Sequence, residues 1–136
     1  MAEAPKPSGQ TLDQKRAAFA WKAATAQNEA LKGDFSDYKN LSKAAPMMVM
    51  TSGLMATFAF YQSRGKVPAT RIVTDMMHWL AETKVLDATH KPSDPFSAVM
   101  LKLQNADSPT YQRATQETLL MLRWLRQFAD AIDANA

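Results

Sequence analysis

From Leu12 onward, apolar residues recur every three or four positions, the period of a helix buried along one face. Ala17, Phe19, Ala20, Ala23, Ala24, Ala30 and Leu31 mark the first such stretch. Thr11 precedes it with Gln14 three residues on, a capping-box spacing, so a helix is predicted to open there and to stop at Gly33. A shorter helix is expected from about Ser36 to Ala44, because Pro46 disfavours helical geometry at Ala45. Pro46 should then open an uncharged helix in which Met47, Met50, Leu54, Phe58 and Tyr61 form the core stripe, with Gly65 as its end. Pro68 and Ala69 start a fourth, carrying Ile72, Val73, Met76, Met77, Trp79 and Leu80 to about Lys84. Residues 85–94 show no period and read as a loop. Pro95 opens a short helix with Phe96, Val99, Met100 and Leu103. Ser108 as N-cap and Pro109 at the first position begin a long last one, with Ala114, Thr118, Leu119, Leu122, Leu125, Ala129 and Ile132 on its apolar side. No segment alternates long enough to demand a strand. The expected fold is all-α, a single compact helical domain of about six helices with no sheet. It should span residues 11–136, behind a disordered tail over 1–10.

Composition agrees with that pattern. A chain of 136 residues suits one domain and can bury roughly two-thirds of its unfolded surface. Only four glycines allow few tight turns, and the lack of cysteine excludes disulfide scaffolds, thiol nucleophiles and iron–sulfur sites. The uncharged stretch 44–63 is long enough for a membrane span. Thr51, Ser52, Gly53, Thr57, Tyr61 and Gln62 make it too polar for one, so a soluble, cytoplasmic protein with no membrane partner is expected.

Candidate chemistry is sparse. His78 and His90 are the two neutral-pH acid–base groups, and His90, beside Lys91 and Pro92, reads as an exposed loop residue. Asp75, His78 and Glu82 share one helix face as potential metal ligands. A helical di-metal site needs such ligands from several helices, and four glutamates with no second Glu-x-x-His supply none. A solvated polar face is the plainer reading. No nucleophile elbow or glycine-rich phosphate loop is present, so no catalytic residue, metal or cofactor is assigned. Trp124 lies between Arg123 and Leu125, off the centre of the apolar stripe, where a neighbouring subunit could cover it. Gly53 within an expected helix points to a close helix crossing.

Sixteen Lys and Arg against thirteen Asp and Glu leave a net charge of +3. Arg113, Arg123 and Arg126 gather on the polar side of the last helix, and Lys15, Arg16, Lys22, Lys39 and Lys43 on the first two. A solvated face explains them as well as a phosphate-tracking face does on composition alone.

Two blocks shift that balance. Lys43-Ala44-Ala45-Pro46, continuing through Gly53-Leu54 to Ala59-Phe60, resembles K-x-L-P-x-(L/I)-(I/V)-x-x-(N/S)-G-L-x-x-x-(L/F)-A-F, with Ala45 replacing the usual leucine. Tyr111-Gln112-Arg113-Ala114-Thr115-Gln116-Glu117, continuing through Trp124-Leu125-Arg126 to Phe128-Ala129, resembles Y-R-x-(A/T)-T-x-E-x-L-x-L-L-x-W-L-(R/K)-x-(F/L)-A. Both resemble the small helical subunit of the Cmr complex, the type III-B CRISPR effector that targets RNA. The likeness covers about Thr11 to Ala131. It implies a non-catalytic role in which several copies stack head to tail beside the backbone and large subunits and line the path of guide and target RNA. On that reading Lys15, Arg16, Lys22, Lys39, Lys43, Arg113, Arg123 and Arg126 contact RNA. A helical protein–protein adaptor that never touches RNA is the alternative, and a metal-dependent enzyme using Asp75, His78 and Glu82 a weaker third.

Overall fold

The computed structural model describes residues 9–134, so all but Gly9 and Gln10 of the tail expected over 1–10 lies outside the described residues. Among the described residues six α-helices form: α1 (Leu12–Leu31), α2 (Phe35–Ser52), α3 (Leu54–Arg64), α4 (Val67–Thr83), α5 (Phe96–Asn105) and α6 (Ser108–Ala134), with a 3-10 turn at Lys32–Asp34. No strand occurs among the described residues. The helices enclose one core, in which α6 packs along α1 and α2, and α4 fills the space between α2, α3 and α6.

Caps explain most of the boundaries. At α1 the expected capping box is present: Gln14 N–H donates to Thr11 Oγ1 at 3.1 Å, and Thr11 N–H to Gln14 Oε1 at 2.8 Å. The cap of α6 is Asp107 rather than Ser108, since its Oδ1 accepts from Thr110 N–H at 2.9 Å. Those Thr110 bonds hold the Asp107 carboxyl below its usual range. Of the expected α6 stripe Ala114, Thr118, Leu122, Leu125 and Ala129 are buried, Leu119 and Ile132 are half-buried, and Met121 joins the core.

The middle of the chain departs from expectation. α2 runs straight through Pro46, and the break falls at Gly53 instead. A proline inside a helix removes one ladder bond and costs about 3 kcal/mol, but Ala45 and Val49 on either side of it are fully buried against the bundle. Tertiary burial offsets the local cost. Gly53 adopts φ +95°, ψ 163°, a conformation that side chains resist. No close helix crossing surrounds it, as an added Cβ would meet only the Tyr111 hydroxyl, at 4.0 Å. Because α2 and α3 are separately phased, the single stripe splits. Leu54, Phe58 and Tyr61 are core, whereas Met47 and Met50 are 62% and 66% exposed. Phe60 also faces outward, beneath the Arg64 guanidinium, so α3 is not buried on all sides.

One polar network crosses the core. Tyr38 OH donates to Asp75 Oδ2 at 2.6 Å, Gln27 Nε2 donates to the same oxygen at 3.1 Å, and Arg71 Nη1 donates to Gln27 Oε1 at 2.9 Å. Burial pushes the Asp75 carboxyl above its usual range, although both hydrogen bonds pull it down. A raised folded pKa favours the folded state below the unfolded value, and that contribution is lost as pH rises through the folded one. Asp75→Asn keeps an oxygen for both donors and removes this term, so thermal unfolding should show an unchanged or raised Tm at pH 7. Asp75→Leu strands the Tyr38 and Gln27 donors and should cost about 1–3 kcal/mol for each. A Tm for Asp75→Leu equal to wild type would show that the network contributes nothing.

Candidate nucleic-acid interface

Lys15, Phe19, Lys22 and Ala26 follow one another at i, i+4, i+7 and i+11, so they share one face of α1. Asp75, His78, Trp79 and Glu82 do the same on α4. These two faces form the walls of an open groove of about 1140 Å3, which Lys84 and Val85 after α4 and Arg113 and Glu117 from α6 also line. Phe19 packs on Trp79 beneath it, ring centroids 5.0 Å apart.

Charge in the groove is unevenly committed. Lys15 and Lys22 are exposed and make no ion pair among the described residues, and Arg113 reaches only Thr110 Oγ1, at 3.3 Å. The carboxylates are mostly engaged. Asp75 belongs to the core network, while Glu117 is gripped by Arg16: Nε donates to Oε1 at 2.6 Å and Nη2 to Oε2 at 2.9 Å. Trp79 Nε1 adds a bond to Oε1 at 3.1 Å. Arg16's hydrogen bonds hold the Glu117 carboxyl below its usual range. Glu82 alone remains an exposed carboxylate on the wall.

Lys84 is a groove cation that sequence reasoning does not assign. It follows the last residue of α4 in the left-handed region, φ +57°, and its Nζ donates to the His90 carbonyl at 2.6 Å. A lysine at the end of a helical pattern is the available signal. His90 itself corrects the expectation of an exposed residue: it is 1% exposed and its Nδ1 has no partner. Burial lowers its pKa. The loop over 85–94 is pinned around it, with Lys102 Nζ on Asp87 at 2.9 Å, and the Asp87 carboxyl is pulled down to about 2 by Lys102 and Thr89. Asp75, His78 and Glu82 all line the groove, yet no group of three acidic or histidine side chains among the described residues is arranged to hold a metal.

The eight basic residues singled out from sequence do not form one surface. Lys15, Lys22 and Arg113 meet in the groove. Arg16 is half-buried beside it and bound to Glu117. Lys39 and Lys43 lie on the far side, reaching Asp133 at 2.8 Å and Asp130 at 3.5 Å and tying α2 to α6 in antiparallel order. Arg123 and Arg126 are exposed on α6, Arg123 over the Trp124 ring at 5.9 Å. Trp124 is covered from within the chain rather than left for a neighbouring subunit: its Nε1 donates to Asp13 at 3.1 Å and its ring stacks on Phe128.

A helical bundle with an open, cation-lined groove between α1 and α4 defines a small all-α protein. No helix among the described residues is long and apolar enough to cross a membrane. The chain matches the CRISPR-associated protein (Cas_Cmr5) family over residues 12–132. It belongs to that family, in keeping with the two sequence blocks. A curated relative is the "CRISPR system Cmr subunit Cmr5" of Thermus thermophilus, 26% identical over 115 residues, which cover 84% of this chain and 91% of the relative.

Proposed function

We propose that the chain is a non-catalytic, RNA-binding structural subunit of a type III-B CRISPR (Cmr) ribonucleoprotein in the cytoplasm. It works beside the backbone and large subunits and stacks with further copies of itself, head to tail, along guide and target RNA. Family membership and the likeness to the Thermus Cmr subunit support a place in the complex. One observation carries the RNA contact: Lys15, Lys22, Lys84 and Arg113 converge from three helices on one groove, and the first two have no carboxylate partner among the described residues. Such cations hold phosphates without reading bases, which leaves selectivity to guide–target pairing. Lys39 and Lys43 serve the α2–α6 junction on this reading, and their substitution acts on stability first.

Reconstituted complexes carrying Lys15→Ala/Lys22→Ala/Arg113→Ala provide the test, with target-RNA affinity measured against salt. Each lost phosphate contact should reduce the log–log salt slope by about 0.7–0.9, so the variant should bind more weakly and with a slope shallower by about 2–3. The loss should be similar for unrelated guides. Full incorporation with unchanged affinity and slope would favour the adaptor reading, in which these cations face acidic protein partners.

A further inference from the structure

On the opposite side of α1 from the groove lies a run of aromatic rings that the proposed groove does not use. Trp21 is 50% exposed, an unusual placement for the largest side chain. It meets Phe128 edge-on at 5.3 Å, Phe128 stacks on Trp124 at 5.6 Å, and Arg123 lies over Trp124. Along α1 this side is polar, with Gln14 and Thr25 on the face of Trp21, and on α6 the half-buried Leu120 and Ile132 stand one turn from Trp124 and Phe128. Asp13, at its edge, is taken up by Trp124 and Arg16. Lys22, next along the chain, points into the groove.

A half-exposed indole supported edge-on from behind, with Lys22 next to it in the chain and Arg123 over the adjoining Trp124 ring, suits a planar π partner on an anionic backbone. Every nucleobase offers such a plane, and stacking tolerates any sequence. We infer that Trp21, braced by Phe128, is a stacking platform for an unpaired base of an RNA strand that passes from the groove over α1 at Lys22. This rests on the RNA-binding reading and deepens it: the chain contacts single-stranded RNA through bases as well as phosphates.

The experiment uses the full chain with a uridine dodecamer and with the matching abasic ribose-phosphate oligomer, following anisotropy and tryptophan emission. Trp21→Ala should weaken uridine binding by about tenfold, the loss of one stacked base, and leave the salt slope unaltered. Binding of the abasic oligomer should be weaker and insensitive to Trp21→Ala. Uridine should quench wild-type emission, and Trp21→Phe should lose most of that quench while keeping most of the affinity. Circular dichroism guards against a folding defect, which the exposure of Trp21 makes a small risk. Four results would overturn the inference. Uridine affinity unchanged in Trp21→Ala would do so, while Lys22→Ala still lowered affinity and slope; the groove reading would then survive alone. Equal loss for the abasic oligomer would reduce Trp21 to a structural role. A change of oligomeric state in Trp21→Ala, without a change in RNA affinity, would make the patch a protein interface. A wild-type chain that binds neither oligomer would remove both readings together.

Discussion

Replacing Gly53 by alanine should destabilise the fold by about 2–3 kcal/mol, a drop in Tm of roughly 10 °C for a chain of this size. Space is not the reason. An added Cβ would touch only the Tyr111 hydroxyl, at van der Waals distance, so nothing needs to move. The cost is in the backbone, which at φ +95° and ψ 163° occupies a region that essentially only glycine enters. The conformation cannot relax cheaply, because both sides are fixed. Gly53 N–H donates to Val49 O at 2.9 Å to close α2, Thr57 N–H and Oγ1 both donate to Gly53 O to open α3, and Met55 N–H is capped by Tyr111 OH at 3.0 Å. Gly33→Ala is the matched control, for it has open space and no positive φ, and should change Tm little. A D-alanine placed at 53 by semisynthesis should restore wild-type stability, since its mirror-image preference matches the bend. If L-alanine at 53 melts with wild type, the kink is not a constraint and α2 can continue into α3.

That bend shows where local reasoning succeeds in this chain and where it stops. Thr11 with Gln14, Gly65, the Pro68 start and the α6 stripe are short-range features, and their interactions are satisfied within a turn of the residue that signals them. Local costs rank Pro46 as the break and Gly53 as helix interior, and the fold reverses the two. Pro46 is held by burial of Ala45 and Val49, which no local rule registers, while Gly53 matters for its torsion rather than for its small size. Reading one stripe across that hidden break places Met47 and Met50 wrongly in the core. His90 reads as exposed by its neighbours in sequence, yet the 85–94 loop folds over it through Lys84 and Lys102, contacts set by α4 and α5. Half of the candidate site is legible for the same reason. The i, i+7 spacing of Lys15 and Lys22 fixes a shared face without tertiary information. That Arg16 turns away to Glu117, 101 residues on, depends on how α1 lies against α6.

Loss of the Arg16–Glu117 contact should also be costly. Its two charge-assisted bonds and the Trp79 bond join α1, α4 and α6 at one carboxylate. Side chains of Arg16 and Glu117 are 12% and 14% exposed, so removing one partner leaves the other largely out of water. Glu117→Ala leaves the Arg16 guanidinium with only its 3.3 Å contact to Asp13 and the Trp79 indole N–H without its acceptor, and should cost about 2–4 kcal/mol, somewhat below a wholly buried pair. Replacing both members, as Arg16→Met/Glu117→Leu, removes the stranded charge and should recover most of that loss. Acidity gives a second readout. The Glu117 carboxyl sits below its usual range, chiefly through Arg16's hydrogen bonds, so its contribution is fully present above the unfolded value of about 4.3 and is lost as pH falls through the folded one. Glu117→Gln should therefore flatten the acid side of the stability profile, the opposite sense to Asp75→Asn. Chemical denaturation of wild type, both single variants and the double variant, between pH 3 and 7, separates these terms. The same variants bear on RNA. With its guanidinium committed to Glu117, Arg16→Ala should lower stability while leaving the salt slope of target binding intact, whereas Lys15→Ala should do the reverse. A shallower salt slope in Arg16→Ala at full fold would return Arg16 to the RNA path and make the Glu117 clamp a resting position from which the arginine is released.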